Sequence, residues 1–283
     1  MEATPLRRFE GHRAIVTGAA SGIGRATAIR LASEGAAVAC LDVVAEGLEE
    51  TVDALGVLGA TALVQRCDVT DETEVRRAVS ATAERLGPPD VLCNVAGVGT
   101  FAHTVDMSLS EWDRILGVNL TGTFLMIREV LPHMLSPNKG SIVNVASTAG
   151  LVGSAYSAAY CASKGGVVMM TKALAVEYAG RGVRVNAVAP GGVETPLIAN
   201  FALPPGGDPK QFERIMTPMG MCRPDQVAAA IAFLASEESS YTTGAVLAVD
   251  GDSVPLMNWE VRPDALKSLV DYDLDTGAEP NVA

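Results

Sequence analysis

Two residues four positions apart, Tyr160 and Lys164, carry the first hint of chemistry in this chain. On a helix, positions i and i+4 share one face, so the phenol and the amine project together. A phenol with a reference pKa of about 10 is a poor base near neutral pH, and a neighbouring ammonium favours its phenolate. The pair therefore suits general acid–base work near neutral pH. Ser147 lies thirteen residues before the tyrosine, and Asn119 lies further upstream in Val118-Asn119-Leu120. Taken singly, each has a plainer reading: a solvated pair, a cap after a strand, an ordinary helix residue. Their ordered spacing is what gives them joint meaning.

A second group precedes them. Thr17-Gly18-Ala19-Ala20-Ser21-Gly22-Ile23-Gly24 leads straight into a helical pattern. Gly18 and Gly22 permit a tight turn and close backbone approach to a pyrophosphate, and Gly24 permits close helix packing. The helix start offers free N–H groups and its positive dipole end. Asp42 follows eighteen residues after Gly24, where a carboxylate can accept hydrogen bonds from an adenosine ribose.

The elements that must position these groups alternate. Runs rich in Val, Ile and Ala at Ala14–Thr17, Ala37–Leu41, Ala62–Cys67, Val91–Asn94, Ser141–Val145, Arg184–Ala189 and Ala245–Val249 have strand length. Helix-length segments separate them: Ile23–Ser33, Ala45–Leu55, Glu72–Leu86, Glu111–Leu135, Ala158–Ala179 and Pro224–Ala235. Crossovers this long predict right-handed βαβ units in one parallel sheet. No repeat or low-complexity linker divides the chain, so residues 1–283 are expected to form a single domain with its core at about 11–251. Thr195–Met221, with Pro204-Pro205-Gly206-Gly207, is too long and punctuated for an ordinary connection and reads as a lid. A tail follows at about 252–283.

Composition narrows the function. With 33 Asp+Glu against 21 Lys+Arg the net charge is −12, which disfavours nucleic acid and an anionic membrane surface as partners. No run reaches about 18 uninterrupted apolar residues, and no apolar run follows Arg7 and Arg8, so a cytoplasmic protein is expected. The five cysteines match neither a metal knuckle nor a redox pair, and the three histidines are scattered, so no metal site is expected. Buried thiols in a reducing compartment are the plain reading.

The glycine spacing resembles that of the short-chain dehydrogenase/reductase family, and the resemblance continues in order to about Gly251. Asp68 in Cys67-Asp68-Val69 is similar to the family's adenine-side aspartate, and Asn94-Val95-Ala96-Gly97 to its Asn-Asn-Ala-Gly turn, with Val95 departing from the second Asn. Pro190-Gly191-Gly192-Val193-Glu194-Thr195 resembles the segment whose backbone and threonine hold a nicotinamide carboxamide. The resemblance implies a doubly wound, Rossmann-like α/β fold with a seven-stranded parallel sheet covered by helices on both faces. It implies that Asn119, Ser147, Tyr160 and Lys164 are catalytic. Tyr160 would exchange a proton with the substrate oxygen, Ser147 would hydrogen-bond that oxygen, Lys164 would also hold the nicotinamide ribose, and Asn119 would support a water. Gly18, Ser21, Gly22, Ile23, Gly24, Asp42, Asp68 and Val69 would line the cofactor's adenosine and phosphate side. Asn94, Ala96, Gly97, Pro190, Gly191, Val193 and Thr195 would line the remainder.

The expected activity is hydride transfer between NAD and an apolar secondary alcohol or ketone. Asp42 should repel the 2′-phosphate of NADP, and Arg25 reads as a solvated helix residue that does not offset it. A 3-oxoacyl thioester reductase and a non-catalytic nucleotide-binding regulator are the alternatives. Family members pack the long helices read here at Glu111–Leu135 and Ala158–Ala179 against symmetry mates, so the resemblance implies a homotetramer, with a dimer second. Leu197, Ile198, Phe201, Leu203, Phe212, Ile215, Met216, Met219 and Met221 could wall a substrate pocket or form the lid's own core. Arg214 and Arg223 sit in or beside the lid, and Trp259 in the tail packs on the protein or walls the pocket.

Overall fold

A computed structural model describes residues 7–200, 202–210, 217 and 219–251. The tail expectations, Trp259 among them, lie outside the described residues, as do Phe201, Phe212, Arg214, Ile215 and Met216. Seven parallel strands form one sheet in the order β3-β2-β1-β4-β5-β6-β7. They are β1 (Arg13–Thr17), β2 (Ala37–Asp42), β3 (Ala62–Arg66), β4 (Val91–Asn94), β5 (Gly140–Val145), β6 (Val183–Pro190) and β7 (Val246–Val249). The central strands are buried along almost their whole length. That burial is why their sequences are continuously apolar rather than alternating.

Helices cover both faces, as expected. On one face, α1 (Gly22–Ser33) and α2 (Ala45–Val57) contribute Leu31, Leu48 and Leu55 to a core with Val16, Val38 and Val143. The same core receives Val227 and Ile231 from a helix at Pro224–Ala235. On the other face, α3 (Glu72–Arg85) and the helices that follow β4 bury Val75, Val79, Met126 and Val130 against Ile15, Leu92 and Ile142. α3 begins at a true cap, with the Asp71 carboxylate accepting from Thr73 N and Glu74 N.

The chain order reverses between β1 and β4, which pair in parallel although three helices and two strands separate them. Ligands of open α/β sheets bind outside the carboxyl ends of the strands at such a reversal. The glycine turn after β1 and the Asn94–Gly97 turn after β4 face each other there.

The segment expected as one helix from Glu111 to Leu135 is interrupted. It comprises α4 (Leu109–Leu116), a π-helical turn (Gly117–Gly122) and α5 (Thr123–Leu135). Gly122 has the close approach that demands glycine, because a Cβ there would lie 2.6 Å from Val69 Cγ2. By length and composition the whole stretch Leu109–Leu135 could cross a membrane, but half of its most apolar window is buried within the protein. α6 (Ala158–Tyr178), a short α7 (Pro196–Ala199) and α8, the helix Pro224–Ala235 already placed, follow along the chain.

Candidate active site

The first turn after β1 is built as a phosphate-binding turn requires. Gly18 and Gly22 adopt positive φ angles of 67° and 48°, a region L-residues rarely enter. At Gly24 a Cβ would stand 1.9 Å from the Gly18 carbonyl oxygen, so any other residue would push the helix start off the turn. Thr17, which the sequence reading left aside, supports the opposite wall: its Oγ1 accepts from Val95 N at 3.0 Å and Ala96 N at 3.1 Å. Val95, the departure from the family motif, thus keeps its backbone in place.

Asp42 ends β2 beside this turn. Its carboxylate accepts from Ala20 N and Val44 N, each at 3.0 Å. Arg25 departs from its expected solvated position. Its guanidinium folds back onto the helix start, donating to the carbonyls of Ala20 and Gly47 and to Thr51 Oγ1, and pairs with Glu50 at 2.7 Å. Glu50, exposed in the middle of α2, lies within reach, and the cation is thereby engaged rather than free.

A groove of about 440 Å³ runs from Gly18, Ser21, Gly22, Ile23 and Gly24 past Asp42 to Asp68 and Val69, with Ala96, Gly97 and Thr195 along its other side. Its glycine cradle, its helix start and the carboxylate at its far end fit a dinucleotide. Gly22 also keeps the groove narrow at its mouth, since a Cβ there would meet Thr195 Cγ2 at 2.9 Å. Val69 borders both this groove and Gly122 in the π turn.

The π turn places Asn119 in the interior, fully buried. Its Nδ2 donates to Val98 O at 2.8 Å and to Ser163 Oγ at 3.0 Å, while its Oδ1 accepts from Val98 N at 2.8 Å. Single-turn π bulges concentrate at functional sites, because the extra residue re-aims a side chain. Ser163 was missed by the sequence reading although it sits inside the Tyr-x-x-x-Lys motif. Its hydroxyl donates to the Tyr160 carbonyl at 2.8 Å, tying Asn119 to the helix that carries the tyrosine. Asn94, in turn, donates to Asn144 Oδ1 at 2.9 Å, and Asn144 donates to Thr171 at 2.9 Å. The Asn94 Oδ1 atom is buried without a protein partner, a polar group of the kind that ordered water satisfies.

Ser147, Tyr160 and Lys164 converge. Ser147 caps a 3₁₀ turn by accepting from Ala149 N at 3.2 Å and hydrogen-bonds the Tyr160 hydroxyl. Lys164, only 3 % exposed, donates from Nζ to Val145 O at 2.7 Å. Burial raises the Tyr160 phenol to about 12, against a smaller opposing pull from the Ser147 hydrogen bond. Burial also lowers the Lys164 ammonium to about 8. The sequence argument expected the ammonium to favour the phenolate. Here desolvation outweighs that pairing, because both groups are enclosed and the lysine is directed at a carbonyl.

These three side chains open onto a cavity of about 120 Å³ lined by Val95, Phe101, Val145, Val193, Leu197 and Ile198 among others. Pro190 and Gly191 border it as well, so the end of β6 and the segment after it reach this cavity. Leu197 and Ile198 are therefore pocket wall, whereas Met219 is 82 % exposed and is not. Lys164 is the one charged residue lining the cavity among the described residues. Arg223 points elsewhere, in a fork onto Asp225 at 3.0 Å. Cys40, Cys67 and Cys93 are buried as expected, Cys161 and Cys222 are half-buried, and all five are free. No group of three or more metal-ligating side chains occurs among the described residues.

A family model described as Enoyl-(Acyl carrier protein) reductase matches residues 18–251. A cis-4-hydroxycyclohexanecarboxylate dehydrogenase of Sinomonas cyclohexanicum is 46 % identical over 245 residues, covering 86 % of this chain and 96 % of the relative. A 3-oxoacyl-(acyl-carrier-protein) reductase of Thermotoga maritima is 42 % identical over 248 residues, covering 87 % and 99 %. The crystal structure of a short-chain type dehydrogenase/reductase from Mycobacterium marinum superposes with a TM-score of 0.81 at 35 % identity, covering 88 % of this chain and 97 % of that one. The chain is thus an oxidoreductase acting on CH–OH groups, and it belongs to the short-chain dehydrogenase/reductase family.

Proposed function

We propose that this oxidoreductase uses NAD to interconvert an uncharged, apolar secondary alcohol and its ketone. The observation that carries the reading is the convergence of Ser147, Tyr160 and Lys164 on a largely apolar cavity beside the dinucleotide groove. Gly18, Ser21, Gly22, Ile23 and Gly24 would hold the cofactor's phosphates, Asp42 its adenosine ribose, and Asp68 and Val69 its adenine. Asn94, Ala96 and Gly97 would flank it, with Pro190, Gly191, Val193 and Thr195 at the nicotinamide. The bound cofactor supplies the hydride acceptor or donor.

The remaining work falls to the chain's own side chains. Ser147 orients the alcohol oxygen by a hydrogen bond. Tyr160 Oη takes the hydroxyl proton in oxidation and returns it in reduction. Lys164 supplies positive charge behind the phenol, and Asn119, fixed in its π turn, keeps the tyrosine's helix in register through Ser163. The 2′-phosphate of NADP would meet the Asp42 carboxylate, while Arg25 is already occupied by Glu50 and two carbonyls.

A ring alcohol is the substrate class we favour, by likeness to a cyclohexanol dehydrogenase of Acinetobacter, 36 % identical over 254 residues; the likeness to the dehydrogenase of cis-4-hydroxycyclohexanecarboxylate supports the ring but not a carboxylate on it. The thioester-reductase alternative has the likeness to the Thermotoga maritima enzyme behind it. A net charge of −12 weighs against docking an acidic carrier. Exposed Phe124, Met169 and Val176 on α5 and α6 support association into a homotetramer. Free thiols are consistent with a cytoplasmic location. Following reduced-cofactor absorbance with cyclic and linear secondary alcohols and with 3-oxoacyl thioesters tests the reading. Turnover confined to thioesters would replace it.

A further inference from the structure

A second cavity, of about 370 Å³, lies beyond the first and contains Phe101, Ala102, His103 and Asp106 on one side and Leu203, Pro204 and Pro205 on the other. Thr100 and Phe101 line both cavities and form the boundary between them. The far side of the second cavity is the Leu203–Pro205 part of the lid, a segment with no regular structure to keep it in place.

Two side chains hold it. His103 Nε2 lies 3.1 Å from the Pro205 carbonyl oxygen. A carbonyl only accepts, so Nε2 carries the proton in this contact. Three residues further along, Asp208 N donates to the Tyr156 hydroxyl at 3.1 Å. The two rings meet edge to face, with centroids 5.1 Å apart and planes at 80°, a favourable aromatic geometry. Tyr156 is also one of two described non-glycine residues with positive φ, at 61°. That conformation costs on the order of 1 kcal/mol and persists only where the surroundings over-determine it. Here the surroundings are the ring contact, the Asp208 amide and the Tyr156 carbonyl, which accepts from Ala102 N at 2.8 Å. Loops from three separate parts of the chain are thereby fastened around one cavity.

We infer that His103 and Tyr156 are specificity-determining positioning residues that clamp the 203–208 segment as the outer wall of a distal substrate chamber. The chamber receives the part of the alcohol farthest from its carbinol carbon. This rests on reading the first cavity as the substrate pocket. Phe101, Ala102, Leu203 and Pro204 suit an apolar extension, and the Asp106 carboxylate at the chamber's rim disfavours an anionic one.

The test compares cyclohexanol with 4-butylcyclohexanol in the full-length enzyme with NAD, using His103→Ala, His103→Gln and Tyr156→Phe. The ratio of KM for the long alcohol to KM for the short one should rise about fivefold in His103→Ala and in Tyr156→Phe, the worth of one neutral hydrogen bond. His103→Gln, which restores a donor at the ε position, should bring the ratio back. A ratio unchanged in both variants overturns the inference, as does an equal rise in both KM values. Amide exchange of the peptide spanning 203–208 is read on the same proteins and needs no turnover. Faster exchange in Tyr156→Phe and His103→Ala supports the clamp, and equal exchange overturns it. If the wild type oxidises neither alcohol, the alcohol reading fails, and the exchange result alone then keeps or removes the clamp.

Discussion

The Lys164 ammonium lies 5.8 Å from the centroid of the Tyr160 ring while donating its proton to the Val145 carbonyl. The two groups are neighbours without a direct bond, and burial pushes both toward their uncharged forms. Function therefore depends on what the bound cofactor and substrate add to an enclosure that, by itself, holds the tyrosine protonated.

Removing the phenolic oxygen should separate chemistry from binding. Tyr160→Phe keeps the ring's packing and deletes the exchangeable proton, so turnover should fall at least about 10²-fold with NAD affinity little changed. Steady-state kinetics together with a cofactor titration by fluorescence check both halves. Near-wild-type turnover would make Tyr160 a packing residue.

The direction of reaction should depend on pH in opposite senses. With the phenol raised to about 12, the ligand-free enzyme holds the proton that alcohol oxidation must displace. kcat/KM for oxidation should rise about tenfold per pH unit from pH 6 to 8, since each unit multiplies the phenolate fraction tenfold. The slope should lessen above about 8, where the Lys164 charge is lost. Ketone reduction uses the protonated form and should gain nothing from alkali. A flat oxidation profile would place the proton acceptor elsewhere.

Lys164 should oppose folding while charged. Its amine is lowered from 10.5 to about 8, so the folded state disfavours the ammonium, and this burden is greatest below pH 8. As pH rises from about 8 to 10.5 the unfolded chain still binds the proton while the folded chain does not, and stability increases. Denaturant unfolding should show wild type gaining roughly 3 kcal/mol on Lys164→Met across that range, at 1.36 kcal/mol per pKa unit. A stability difference independent of pH would mean that the lysine titrates normally in the fold.

Cofactor choice should follow Asp42. kcat/KM for NAD should exceed that for NADP at least about tenfold, the ratio that 1.4 kcal/mol of carboxylate–phosphate repulsion would set. Asp42→Ala should narrow it, although the same change frees the Ala20 and Val44 amides and should lower the melting temperature too. A wild-type preference for NADP would contradict this role.

How far the sequence reached differs by residue. The strands were legible because β1, β4, β5 and β6 are buried on both faces, which leaves runs of Val, Ile and Ala that water-facing segments do not show. Gly18, Gly22 and Gly24 were legible because a turn that brings backbone to phosphate tolerates little else. The π turn at Asn119 was not, since an extra residue per turn depends on how Gly122 meets Val69, a contact between segments about 50 positions apart. The fold-back of Arg25 onto Glu50, and the positive φ of Tyr156, also arise from tertiary partners. The protonation of Tyr160 was misjudged for the same reason: spacing places a lysine near a tyrosine, but only the packed structure sets how much water both have lost.

The central claim is that this chain oxidises uncharged secondary alcohols through Tyr160 with NAD. Its most direct test is the rate of reduced-cofactor formation from cyclohexanol at pH 8, measured for wild type and Tyr160→Phe side by side. The account predicts sustained NADH production by wild type and a loss of at least about 10²-fold in the variant. No NADH from any neutral secondary alcohol, or equal rates in the two proteins, would contradict it.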